Sequence, residues 1–228
     1  MAETIQLGEP PIDVTLKHSA QARRMSLRVS GVDGRVSLTL PRRASLREAQ
    51  AFLRAKEDWI RGHLDRQPET TWIAPGAVIP VEGRPRLVAE TRTRAVKLLE
   101  DHILVPPGSD KAGARVRALL KTLARDRLAE ASARYSTQLG RPFGKITLRD
   151  TRSRWGSCTS EGNLMYSWRL ILAPVEVLDY VAAHEVAHLV EMNHSAAFWG
   201  NVESLMPEYK APRHWLRTHG SGLHRFQF

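Results

Sequence analysis

His184-Glu185-Val186-Ala187-His188 is the segment of this chain best equipped for chemistry. Two histidines four residues apart share one face of a helix, so His184 and His188 can present imidazole nitrogens to one metal ion. Glu185 sets a carboxylate beside that pair, where it can take a proton from an attacking water. Six residues past His188 comes His194, a third imidazole. Three nitrogen ligands plus one open position is the layout of a catalytic zinc, whereas structural zinc closes all four positions. The pattern therefore predicts a zinc (Zn2+) centre of His184, His188 and His194, with Glu185 as general base.

The third ligand requires the chain to turn back after His188. Asn193 tolerates the left-handed conformation that ends a helix and is expected to supply that turn just before His194. Glu203 is the rival ligand, since other zinc hydrolases take a glutamate from the following helix; it equally suits a solvated helix face, and His194 is preferred. Metzincins place a glycine where this chain has Glu191, which argues against that group. Amide hydrolysis also needs a donor for the tetrahedral oxyanion besides the metal. Tyr209, Arg213 and His214 lie downstream and are candidates, each with a structural or surface role as its alternative. Cys158 either approaches the metal as a thiolate or is a small buried residue, and its residue type favours burial. Trp168, Phe198 and Trp199 read as core packing under the metal-binding helix.

The elements that must position these groups are legible in the hydrophobic periodicity. Val177, Leu178, Val181, Leu189 and Val190 recur at helical spacings around the two histidines, and Pro174 suits a first helical position. Before it, residues 164–172 alternate as a half-buried antiparallel strand, able to hold a substrate peptide by strand addition. A long helix is expected over 112–139, with Gly140 as its C-terminal cap, followed by a strand at 145–149. Residues 195–206 read as another helix, stopped by Pro207. The N-terminal part reads as strands at 12–16, 25–29 and 36–40, with an Asp33-Gly34 turn. Ser45-Leu46-Arg47-Glu48 forms a capping box, and one apolar helix face runs behind it to Leu64. A connector at 67–76 and short strands up to Val105 lead to Pro106-Pro107-Gly108, which breaks the pattern. The expected fold is α+β: a small, mostly β N-terminal domain with a helix (1–107), then a second domain of helices on a small antiparallel-edged sheet (108–228).

Composition sets outer limits. The chain has 228 residues, 42% hydrophobic and 25% charged, ordinary values for a soluble globular protein. No run of eighteen apolar residues exists and no secretory signal is recognisable, so neither a membrane partner nor export is expected. The lone Cys158 excludes an intramolecular disulfide, and a cytoplasmic location is expected. The net charge of +10 is spread out: residues 1–111 hold 18 Lys+Arg against 14 Asp+Glu (+4), and residues 112–228 hold 16 against 10 (+6). That spread reads as a solvated arginine-rich surface more than as a nucleic-acid footprint, with nucleic acid kept as a possible partner.

Several separated motifs occur together: Arg154-Trp155-Gly156-Ser157-Cys158, the stretch 163–174, the two-histidine helix, Asn193-His194-Ser195, and Phe198-Trp199. In this order they resemble the YgjP-like metallopeptidases, relatives of the SprT and WLM groups of zincins, over roughly residues 145–219. The resemblance implies a minimal zincin fold, zinc held by His184, His188 and His194, and Glu185 as catalytic base. It implies hydrolysis of a peptide or protein substrate less directly, since no motif specifies the substrate. The alternatives are a metal-dependent hydrolase of a non-peptide amide or ester, and a basic nucleic-acid-associated module with a structural metal.

Overall fold

The computed structural model describes residues 3–66 and 69–228. Two compact units divide between Glu69 and Thr70. The first holds β1 (Glu3–Leu7), β2 (Ile12–Ser19), β3 (Ser26–Val29) and β4 (Val36–Pro41) in one sheet of order β1-β2-β4-β3. β2 and β4 are parallel and the two outer pairs antiparallel. Gly34, at φ 70°, makes the turn expected between β3 and β4. The predicted capping box is present: the Ser45 hydroxyl accepts from the Glu48 N–H, and the Glu48 carboxylate accepts from the Ser45 N–H at 2.7 Å. The single helix expected behind it is two, α1 (Leu46–Ala55) and α2 (Glu57–Leu64), broken at Lys56. Val14, Leu16, Val36, Leu38, Leu40, Leu53 and Ile60 form the core of this unit.

The second unit begins with β5 (Thr71–Trp72), β6 (Val78–Val81), β7 (Arg84–Glu90), β8 (Lys97–Leu98) and β9 (His102–Val105), the last four forming a sheet of order β6-β7-β9-β8. α3 (Ala112–Leu139) follows over the predicted span, and Gly140 caps it in the left-handed conformation at φ 67°. Then come β10 (Ile146–Arg149), β11 (Gly156–Cys158), β12 (Leu164–Ser167), α4 (Val175–Ala187), α5 (Ala196–Leu205), α6 (Lys210–His219) and β13 (Phe226–Gln227), which pairs with β5.

Two expectations differ from this architecture. The boundary read at 107/108 falls within the second unit. Ile79, Val81, Val88, Ile103 and Val105 of the early strands share one buried core with Val116 and Leu120 of α3 and with Val181 and Val186 of α4. A Pro-Pro-Gly break ends a strand, but it does not end a core. The strand expected over 164–172 stops at Ser167, and residues 168–172 continue as 3₁₀ turns buried on every side. β12 is also central, parallel to β10 and antiparallel to β11, so it has no free edge for a peptide.

Arg169, on the face expected to meet solvent, is 6% exposed. Its guanidinium donates to Asp150 at 2.6 Å and to the carbonyls of Leu223 and Phe226. A buried charge is tolerated where each donor is matched in this way.

Candidate metal centre

α4 carries the two histidines because its sequence is apolar nearly all round. Val177, Leu178, Val181, Ala182, Ala183, Val186 and Ala187 are buried, as a helix in the middle of a unit requires. His184 lies one turn before the end, and His188 is the C-terminal cap residue. Pro174 takes the N-cap position instead of the first helical one. The turn to His194 is made differently from expectation. Asn193 is not left-handed; Glu82 is the non-glycine residue with positive φ among those described. Instead the Asn193 side-chain oxygen accepts from the Ser195 N–H at 2.8 Å, a side-chain-closed turn that Asn forms readily. Ser195 then caps α5 by accepting from the Phe198 N–H.

These elements bring His184, His188 and His194 together, with one ligand atom of each within 4.8 Å of the others. His184 Nε2 and His194 Nε2 are 3.1 Å apart. His188 Nδ1 donates to the Glu191 carbonyl at 2.9 Å, which fixes the tautomer and leaves Nε2 with its lone pair. Burial, reinforced by the neighbouring imidazoles, pushes the His184 pKa down to about 3; burial also lowers that of His188. Both rings are therefore neutral at physiological pH, the form that binds a metal. His184 Nδ1 is buried with no hydrogen-bond partner. Three convergent imidazole nitrogens, two of them on rings that burial keeps neutral, fit a metal ion. Phe198 stacks on His188 at 4.4 Å and meets the other two rings edge-on, so its core role extends to a floor under the site. Trp199 is half-buried beside His184 and His194.

Glu185 is 5% exposed, and burial raises its pKa to about 8 against the opposing charge of Arg154. The backbone of Gly156 runs against it: a β-carbon there would stand 2.6 Å from Glu185 Cγ. This is a close approach that only glycine permits. Cys158, two residues on, keeps its proton; burial first, then the Glu185 charge, pushes its pKa up to about 11. Glu203 stands apart from the three histidines and is exposed beside Lys210 at 3.7 Å.

The three downstream candidates separate. Arg213 and His214 line a cleft beside the site. Tyr209 does not; it is buried, stacked on Tyr180 at 6.5 Å and on Trp199 at 5.6 Å. Tyr180, which the motif reading missed, lines the cleft with its ring 5.8 Å from His184. Its spacing of four residues before His184 is the signal that places it on the same helix face.

A helix presenting two histidines and a buried glutamate, with an imidazole from the following turn beside them, is an arrangement that could hold a metal ion. The family described as "YgjP-like, metallopeptidase domain" matches residues 23–219, and the chain belongs to it. The match begins well before the stretch 145–219 that carries the motifs. Among solved structures, the metallopeptidase zymogen of Pyrococcus abyssi abylysin is similar, with 23% identity, 42% of this chain and 92% of that chain covered, and a TM-score of 0.35. No curated protein matches the chain.

Proposed function

We propose that this metallopeptidase is zinc-dependent, with His184, His188 and His194 as ligands and Glu185 as general base. The observation that carries the reading is the convergence of three imidazoles beside a buried carboxylate of the same helix. An all-imidazole donor set that leaves room for a further ligand suits catalytic zinc. Zinc bound there would supply a +2 charge that acidifies water to a pKa of about 7 and polarises a carbonyl.

The ionised form of Glu185 accepts the proton of the attacking water and returns it to the leaving amine. Gly156 lets the β11 backbone press on Glu185 and limits its rotation. Tyr180 and Arg213 are the donors best placed for the oxyanion. Burial pushes the Tyr180 pKa to about 12, so its hydroxyl remains a donor, and the Arg213 guanidinium offers N–H donors. Tyr209 acts behind them, holding Tyr180 and Trp199 by stacking. An extended peptide would pair with β11, the outer strand next to Glu185, in place of the central β12.

The test is metal analysis joined to peptide hydrolysis. Wild type and Glu185→Gln should each hold one zinc per chain, while turnover of a cleaved peptide falls about 10²- to 10⁴-fold in the variant. Undiminished turnover removes Glu185 from the mechanism, and failure of the wild type to take up any transition metal ends the reading.

A further inference from the structure

Beside the three histidines the second unit holds an open cleft of about 510 Å³. Trp155 and Tyr180 line it, together with Lys210, Arg213, His214 and Arg217 of α6. Positions 210, 213, 214 and 217 recur at three- and four-residue intervals, so α6 turns one basic face into the cleft. Among the described residues, no carboxylate lines it. Like charges at these spacings repel and cost helix stability.

Their partners do not offset that cost. Lys210 meets Glu203 at 3.7 Å with both side chains mostly exposed, a contact that water screens. Arg213 lies over the Trp199 ring at 4.1 Å, and Arg217 donates to His214 Nδ1 at 3.3 Å. Among the described residues, neither arginine meets a carboxylate. The cleft adjoins the chemistry: Tyr180 packs on His184, and the Arg213 charge is felt at both.

We propose that this cleft is a specificity subsite for a carboxylate of the peptide substrate, an acidic side chain close to the scissile bond. The inference rests on the peptidase reading above and names the substrate class it selects. Arg213 and Arg217 offer forked donors that match a carboxylate, and the Trp155 and Tyr180 rings offer apolar walls for the methylenes of Glu. The cations are gathered in one concavity of side-chain size. Nucleic acid instead needs a basic track along many phosphates.

The zinc-loaded full chain is assayed on C-terminally amidated peptides that differ only by Glu, Gln or Lys at one position, stepped along both sides of the scissile bond. At one position Glu should exceed Gln in kcat/KM by about tenfold or more. Arg217→Glu should erase that ratio and favour the Lys peptide, Arg217→Gln should erase it without favouring Lys, and Arg217→Lys should retain most of it. A matched neutral peptide with a free C-terminus serves as a second arm. A preference seen only there keeps the subsite and assigns it to the terminal carboxylate.

Equal rates for Glu and Gln at every position overturn the proposal, as does a preference unchanged in Arg217→Glu. Salt-sensitive binding of duplex DNA that is lost in Arg217→Glu, without any peptide preference, also overturns it. Anisotropy of the same peptides, fluorescently labelled, on the Glu185→Gln variant separates the two readings. If nothing is cleaved but the Glu peptide binds about tenfold tighter than the Gln peptide, the catalytic reading falls and the cleft stands.

Discussion

Glu185 must be buried enough to be held still, yet reachable by water and substrate. Gly156 reconciles these demands, since the missing β-carbon lets a strand edge lie directly on the carboxylate. Gly156→Ala should therefore displace Glu185 without touching the imidazoles. The expected result is unchanged zinc content with kcat lowered about tenfold to a hundredfold, the scale of a misplacement near 1 Å. Loss of zinc in parallel with activity would instead mean that the site had collapsed as a whole. The ligand assignment has its own test. His194→Ala should weaken metal binding by at least about tenfold in a chelator competition, whereas Glu203→Ala should leave it unchanged. Glu203 lies in solvent beside Lys210, so the reverse result would show that the helix rearranges on metal binding.

Among the elements, the segment between β12 and α4 does the most to fix the site. Residues 168–172 of it are buried, and Arg169 ties it through Asp150 and two C-terminal carbonyls to the end of the chain. His224 sits in the same region, 4% exposed, with its ring 5.3 Å from Trp155. Burial, and then the Arg169 charge, depress its pKa from 6.5 to about 4, while Asp150 pulls the other way. A base with a depressed folded pKa binds fewer protons folded than unfolded, so stability rises with pH across that interval. His224 thus contributes fully above pH 6.5, and its contribution is lost as pH falls towards about 4, on the order of 3 kcal/mol. In denaturant melts, His224→Gln should flatten stability between those pH values. A wild-type slope that survives the substitution would place the acid sensitivity elsewhere.

The two units are separate bodies of core, and the division after Glu69 has a consequence for fragments. Residues 70–228 should fold alone, with a cooperative melt and metal uptake. Residues 108–228, which lose Ile79, Val81, Val88, Ile103 and Val105, should not, because those side chains complete the core against α3. A cooperative melt for 108–228 would restore the boundary at 107/108. No helix among the described residues is long and apolar enough to cross a membrane. The positive charge reads as diffuse along the sequence, but α6 concentrates part of it in one cleft.

The pairing of His184 with His188 was legible in the chain itself, since residues four apart on a helix must share a face in any fold that keeps the helix. The same locality made the long helix, its glycine cap and the N-terminal capping box readable, because caps and periodicity are interactions among near neighbours. Only the tertiary structure decided the rest. That Gly156 touches Glu185, that Arg169 is buried, that β12 is central, and that Tyr180 and α6 share a cleft all depend on residues distant in sequence. The core boundary is of the same kind, for a proline-rich break reports where the backbone turns and says nothing of which apolar faces later meet.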